Sequence, residues 1–487
     1  MKENSISRRN FLKSSALVGA AGMVGTGSVL TSCAGGEDKK VIKYTPLKAP
    51  GTYYIPDLAM NKAKDRRELK AGLIGCGGRG TGAAGNFLTA ANGVTITALG
   101  DAFADKLESC ANKLKEKFNI DIPADKRFVG LDAYKQVIDS GVDMVLVASP
   151  PFFRAEQFQY AVEKGKHCFL EKPLFVDAVG YRSALASSRQ ADQKNLCVVT
   201  GTQRHHQRSY IASYQQIMNG MIGDITGGAV YWNGTVPWTV LPKPGLSDGE
   251  NLLRNWVNMI WLSGDHIVEQ HCHNLDVWTW FTGMKPVSAL GFGSRQRRPS
   301  GDQFDNFSVD IVMENGIHVH SMCRQIDGCA GGVYEFIQGT KGSWSSEREH
   351  VIKDLAGNVI WKYDAEAEKA QFTQLDPYTL EHVNLINHIR AGVHINQAPE
   401  MAVANMAAVM GRQSSYTGEL VTWDKMTTSD LDLRPKDLSL KGKMDLSVYK
   451  VPVPGISAEE GQKLREAQRA EAAAKRAAAA AAQQPKK

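Results

Sequence analysis

The stretch from Leu69 to Asp101 leaves this chain little choice of fold. A short apolar run, 69–75, opens into Gly75-Cys76-Gly77-Gly78-Arg79-Gly80, and a Gly/Ala-rich segment follows. A second apolar run, 94–99, leads to Asp101, 21 residues after Gly80. A glycine-rich turn alone would mean little. Between a strand and a helix, with a carboxylate closing the second strand, it is the arrangement of a nucleotide-binding βαβ unit. Further apolar runs at 127–129, 144–148, 167–170 and 196–200 are separated by amphipathic stretches at 104–118, 154–164 and 177–193. Strands that are apolar throughout and alternate with helices predict a parallel sheet covered on both faces.

After about residue 220 the texture changes. Successive strand-like segments (225–233, 286–293, 306–313, 316–323, 332–338, 350–354 and 358–363) predict a mostly antiparallel sheet. One strong helix, about 264–281, interrupts them, and two more, 376–391 and 398–413, follow. The fold class is therefore α/β, an N-terminal Rossmann doubly wound sheet at 69–200 followed by a C-terminal α/β domain at 201–420. That second domain carries a large open sheet, and its late helices pack back on the core. Residues 421–487 are an extension ending in an Ala/Lys/Glu-rich tail, a solvated helix or a disordered one because it has no apolar stripe.

The 487 residues carry a formal net charge of +6, which on its face suggests an acidic partner. Residues 1–32 hold three of those charges and residues 459–487 the other three, so the body between them is neutral. That distribution argues against nucleic acid. The N-terminal part is an address: Ser7-Arg8-Arg9-Asn10-Phe11-Leu12-Lys13, then a weakly apolar run without acidic residues, reads as a twin-arginine export signal. Leu30-Thr31-Ser32-Cys33 resembles a lipoprotein cleavage site, with Cys33 lipidated; an ordinary small-residue cleavage site is the alternative. Residues 1–33 are thus a signal and 34–68 a polar linker. Of eight cysteines, the seven beyond Cys33 form no CxxC pair, and several sit in apolar runs, as buried free thiols do.

The glycine turn assigns roles by position. Gly75 permits the tight turn, Gly77 lets backbone approach a pyrophosphate, and Gly80 allows close packing, with Gly78 and Arg79 lining the same loop. Asp101 suits ribose hydroxyls and repels a 2′-phosphate, so NAD is expected rather than NADP. Ser149 and Pro150, ending the fourth strand, stand at the carboxyl edge where such sheets bind ligands. Glu171-Lys172-Pro173 ends the fifth strand at the same edge. Beside a positively charged nicotinamide ring, Lys172 is expected to have a lowered pKa, suiting it to proton handling.

Fingerprint, Asp101 and Glu171-Lys172-Pro173, in this order, resemble the glucose–fructose oxidoreductase / inositol dehydrogenase / MocA family over about residues 69–420. The resemblance implies a Glu-Lys-Pro motif at the cofactor, often with a cis proline, and a C-terminal sheet often used for oligomerisation. It also implies an Asp-x-x-x-His pair on a helix of the second domain, with the histidine as acid/base. Here that pair reads Glu269-x-x-x-His273. At 100° per residue, His266, Glu269 and His273 share one face of the expected helix, while His271 points elsewhere. Glu269 and His273, with His266 nearby, would also suit zinc, but hydride chemistry brings its own electrophile and no metal is assigned. Arg204 and His206 follow the sixth strand, where the family lines its substrate pocket. Trp256 belongs to an aromatic and polar loop, 231–263, suited to sugar rings or to a subunit interface.

The sequence therefore predicts hydride transfer between a sugar or glycoside hydroxyl and a tightly bound NAD, with Lys172, His273 and Glu269 in the chemistry. An exported protein leaves the NAD pool behind, so its cofactor must travel folded inside. Redox-neutral glycoside cleavage through a transient keto-sugar is the alternative, and a non-catalytic, lipid-anchored sugar-binding protein is another. The expected setting is the periplasm, with membrane contact only through Cys33, no nucleic acid, and a homo-oligomer formed through the C-terminal sheet.

Overall fold

The computed structural model describes residues 54–61 and 67–482, with side chains to residue 476. The twin arginine, the apolar run and Cys33 lie outside the described residues. The first half alternates as predicted: β1 (Leu69–Ile74), α1 (Gly78–Ala90), β2 (Val94–Asp101), α2 (Ala104–Phe118), β3 (Arg127–Val129), α3 (Ala133–Asp139), β4 (Met144–Val147), α4 (Pro151–Glu163), β5 (His167–Leu170), α5 (Ala178–Gln193) and β6 (Val198–Thr200). These six strands form a parallel sheet in the order β3-β2-β1-β4-β5-β6. The order reverses between β1 and β4, and a crevice opens there at the carboxyl ends of the strands. The glycine turn leaves β1 and Ser149-Pro150 leaves β4, so both sides of that crevice are the predicted segments.

The chain continues through α6 (Arg208–Met218), β7 (Ile225–Gly234), α7 (Asp248–Arg254), α8 (Ile260–Ser263), α9 (His266–Glu269) and α10 (Cys272–Thr282). Then come β8 (Pro286–Ser294), β9 (Asn306–Met313), β10 (His318–Gln325), β11 (Gly332–Gly339), β12 (Gly342–Ser345), β13 (Val351–Asp354) and β14 (Val359–Lys362). Helices α11 (Ala365–Gln371), α12 (Pro377–Ala391) and α13 (Ala398–Thr417), the short β15 (Val421–Thr422), α14 (Trp423–Thr427) and α15 (Ala458–Ala482) complete it. The second sheet runs β14-β13-β12-β11-β7-β10-β9-β8-β15, and only β7–β10 is a parallel pair. One face is covered by α10 and α13. A Cβ on Gly228 would lie 2.4 Å from Trp278, and one on Gly291 2.3 Å from Ser415, so glycines set how closely these helices lie. The other face stays open, with Leu290 and Phe292 exposed.

Two differences from the sequence reading matter. The expected single helix over 264–281 is two, because the chain breaks at Gln270-His271 between α9 and α10. Segments read as linker and extension are partly docked. Leu58 is buried, Tyr54 donates to Asn384 on α12 at 2.8 Å, and Leu433 N donates to Asp177 at 2.8 Å. Isolated apolar residues in polar stretches carry no periodicity, so only tertiary contact reveals them. Helix α12 itself packs on α1, burying Leu380, Val383 and Ile386.

Candidate functional site

The glycines after β1 divide into two jobs. Gly75 has φ +91°, and a Cβ there would stand 2.6 Å from Ser149 N; on Gly80 it would meet Gly75 O at 1.8 Å. These two let turn, helix and β4 pack together. A Cβ on Gly77 or Gly78 would meet nothing within 4 Å, so these two face open space at the N-terminus of α1. Helix α1 has no acidic residue in its first turn, and its free N–H groups present positive charge to that space. Asp101 accepts from Cys76 N at 2.6 Å and from Phe103 N at 2.8 Å, and each oxygen keeps a further lone pair for a hydroxyl. Burial raises the Asp101 pKa, and those two N–H groups oppose the rise.

A cavity of about 450 Å³ runs over this loop, lined by Gly75, Gly77, Asp101, Ser149 and Pro150 among others. The residues fit a dinucleotide: open space over two glycines, a helix N-terminus and a carboxylate closing the second strand. Trp238, Arg254 and Trp256, from the segment that follows β7, line the same cavity. The aromatic loop, expected to serve sugar rings or a subunit interface, places Trp256 in the wall of this cavity.

At the far edge of the crevice, Arg79 pairs with Glu171, lies 3.2 Å from Glu381 on α12, and stacks on Tyr378 at 4.6 Å. Glu381 is fully buried; burial pushes its pKa well above the usual carboxylate range, against the pull of Arg79. Ser149 Oγ donates to Gln157 at 2.6 Å, and buried Arg154 ties the two strand ends, donating to Ser149 O (2.8 Å) and Pro173 O (2.9 Å). Arg154, Gln157 and Glu381 escaped the sequence reading, because a polar residue on a helix reads as solvated until its buried partner is known. The Lys172–Pro173 peptide is cis.

Lys172 is where expectation and structure part. Its Nζ donates to Glu269 O at 2.7 Å and lies 3.4 Å from Glu269 Oε1. Burial lowers its pKa, but Glu269, Cys272 and Glu171 more than offset this, and the ammonium is held above its ordinary value. The anticipated lowering therefore does not hold for the protein's own charges. The break between α9 and α10 is what supplies the Glu269 carbonyl, an acceptor that an unbroken helix would have used internally.

The same break overturns the shared-face argument for His266, Glu269 and His273, yet tertiary packing regroups two of them. His273 stacks on Trp232, ring centroids 5.8 Å apart and planes at 15°, while His266 Nε2 lies 3.2 Å from Trp232 O. Burial, then Lys172, Arg204 and Arg79, push the His273 pKa well below its usual value. The buried Nδ1 of His273 has no hydrogen-bond partner. Arg204 is buried, pairs with Glu335 and lies 6.0 Å from the Trp232 ring, close to this group. His206 is 0 % exposed and sits 3.1 Å from Asn384; it packs the interior instead of lining a cleft. His205, not singled out from the sequence, lies 2.8 Å from Asp276 and stacks on Trp280. Among the described residues no group of His, Cys, Asp or Glu is placed to hold a metal ion.

Residues 69–206 match the family model described as oxidoreductase family, NAD-binding Rossmann fold (GFO_IDH_MocA), and residues 5–25 match the twin-arginine translocation pathway signal sequence. The chain is similar to scyllo-inositol 2-dehydrogenase (NAD(+)) of Bacillus subtilis, 22% identical over 49% of this chain and 60% of that protein. It is 26% identical to a glycosyl hydrolase family 109 protein of Streptomyces coelicolor, over 46% of this chain and 44% of that protein. Among solved structures, scyllo-inositol dehydrogenase from Lactobacillus casei with bound NAD(H) and scyllo-inositol shares the fold. Its TM-score is 0.56 at 20% identity, covering 73% of this chain and 99% of that one. The aligned parts thus span 44–60% of the two curated relatives.

Proposed function

We propose, for a chain whose residues 69–206 are a Gfo/Idh/MocA NAD-binding domain, an exported NAD-dependent oxidoreductase that acts on a hydroxyl of a sugar or glycoside. The observation that carries this reading is the open cradle of Gly77, Gly78 and Asp101 at the N-terminus of α1, with Lys172 tied to Glu269 at the same sheet edge; there, neighbouring charge moves the Lys172 pKa up and burial moves that of His273 down. Environments that separate two such groups assign them different proton-handling tasks. Bound NAD supplies the acceptor for the hydride that leaves the hydroxyl-bearing carbon. His273 takes the hydroxyl proton, and the cations around it hold it neutral beforehand so that it can. Lys172 turns its ammonium from Glu269 toward the developing oxyanion and lowers the hydroxyl's pKa. Glu269 positions Lys172 through its carbonyl and carboxylate, and Arg204 stands beside Trp232 to orient the substrate.

The twin-arginine signal supports export, and a protein exported folded carries its cofactor with it. That favours tightly held NAD, NAD over NADP given Asp101, a periplasmic location and a lipid anchor at Cys33. The open sheet face with Phe292 at 73 % exposure is the surface for a second copy of the chain. A second reading, redox-neutral glycoside cleavage, is favoured by the likeness to a glycosyl hydrolase family 109 protein.

The test is to denature the purified protein, assay the released nucleotide, and follow reduction of the bound cofactor when sugars and glycosides are added. One NAD(H) per chain and sugar-dependent reduction are expected, with loss of turnover by roughly 10²–10⁴-fold in Lys172→Ala and His273→Ala. No nucleotide released and none taken up would refute the reading. A free aglycone without net reduction would select the second.

A further inference from the structure

The dinucleotide cavity has an outer wall that the fingerprint does not explain. Residues 238–256 of the second domain cross it, and Trp238, Val240, Leu253, Arg254 and Trp256 line it opposite the glycine loop. The crossing segment is internally built. Asn255 accepts from Val240 N at 3.0 Å, Asn258 donates to Trp238 O at 3.1 Å, and Asn251 accepts from Lys243 N at 2.9 Å. At its base α7 carries a capping box, Ser247 with Glu250. It is also held from behind: Met444 N donates to Asp248 at 3.1 Å, and a Cβ on Gly249 would lie 1.8 Å from Ser439 O. Leu253 is buried in an apolar cluster with Phe152 and Val176 of the first domain.

The outermost tie is different in kind. Arg254 donates two hydrogen bonds to Asp105, 2.7 and 3.0 Å, and its guanidinium lies over Phe103 at 4.0 Å. Phe103 caps α2 and Asp105 lies in its first turn, just after Asp101. Asp105 is 58 % exposed, so this contact can open without unpacking a core. Asn-buttressed backbone fixes the crossing segment, and a two-pronged ion pair with a cation–π contact closes its free edge.

Resting on the NAD reading above, we propose that residues 238–256 are a retaining strap across the dinucleotide site and that Arg254–Asp105 is its latch. With the latch closed, the cleft is walled on both sides at its Asp101 end. NAD then leaves only when the strap lifts, and it behaves as a resident group through export. Residues that a loop composition suggests for sugar stacking thus serve the cofactor, and Trp238, 50 % exposed and edge-to-face with Trp256 at 6.0 Å, forms the outer cover.

The test loads the full-length protein with radiolabelled NAD, chases with unlabelled NAD, and follows label retained on the native protein by gel filtration. Arg254→Ala, which removes both the bidentate pair and the cation–π contact, should lose label roughly tenfold faster than wild type, and Asp105→Ala, which removes the pair alone, a few-fold faster. The charge-exchanged double variant, Arg254→Asp with Asp105→Arg, should recover most of the retention, which simple misfolding would not. Wild-type loss rates in both single variants would overturn the strap while leaving the NAD reading intact. Failure of the wild type to take up label, together with no NAD(H) released when the unloaded protein is denatured, would overturn the NAD reading, and the strap with it.

Discussion

Glycine substitutions separate folding from cofactor binding one atom at a time. At Gly80 an added methyl would collide with backbone 1.8 Å away, so Gly80→Ala must move the turn. The expected cost is about 1–3 kcal/mol, the range for overpacking, seen as a lowered denaturation midpoint without ligand. At Gly77 the same methyl meets nothing within 4 Å. Gly77→Ala should keep wild-type stability yet occupy the space kept for the diphosphate, weakening NAD by roughly tenfold or more, since tenfold corresponds to about 1.4 kcal/mol. Calorimetric titration with NAD on both variants, beside their unfolding curves, checks the pair. Equal effects on both properties would show that the two glycines are not distinct. This assignment was legible in the sequence, because a strand-turn-helix leaves each glycine only one place to be. The charge state of Lys172 was not legible: it depends on Glu269, 97 residues away and freed by a helix break that no periodicity announced.

Helix α10 carries His273, and its place is fixed by one fully buried carboxylate. Glu335 on β11 pairs with Arg204 and accepts from Tyr210 at 2.9 Å, Asn274 at 2.6 Å and Ser346 at 2.6 Å. Four side chains converge on Glu335 from the segment after β6, from α6, from α10 and from the residue after β12. Glu335→Ala would leave Arg204 buried and unpaired, at an expected cost of about 3–5 kcal/mol, measured by urea unfolding. A change under about 1 kcal/mol, the surface ion-pair range, would mean that water replaces the carboxylate freely. Glu335 did leave a trace in the sequence: within Val333-Tyr334-Glu335-Phe336-Ile337 it shares the inward phase with Ile337. A charge in the buried phase of a strand signals a partner, but not which one.

At the scale of the whole molecule, acid should loosen the protein near the pH where free histidine titrates. Burial pulls the pKa of His206 and His266 down to about 3 and that of His350 to about 4; His271, His273 and His382 are also held well below their usual value, chiefly by burial. In the unfolded chain these rings titrate near 6.5, so between there and their folded values the unfolded state binds more protons. Their contribution to stability is complete above about pH 6.5 and is lost as pH falls toward the folded values, by up to about 1.4 kcal/mol per histidine per pH unit. Asp302, raised to about 7, works in the opposite direction, as do Glu381, Asp101, Asp177 and Asp265, all raised by burial, but these five carboxylates are fewer than the six histidines. Thermal unfolding should therefore shift to markedly lower temperature between pH 7 and pH 5. An unchanged midpoint would refute this.

The sequence by itself determined the order of elements, the glycine turn, the acidic end of β2 and the Glu-Lys-Pro edge. All of these are short-range: strand and helix periods, backbone freedom at glycine, and the rule that parallel sheets bind at their carboxyl ends. Tertiary structure decided the convergences: Arg79 with Glu381, 302 residues apart, Arg204 with Glu335, 131 apart, and Arg254 with Asp105, 149 apart. It also decided that His266 and His273 meet at Trp232 without sharing a helix face. The reason is physical. A charge's partner, its burial and its pKa are fixed by what packs against it, and in these pairs that residue lies more than a hundred positions away.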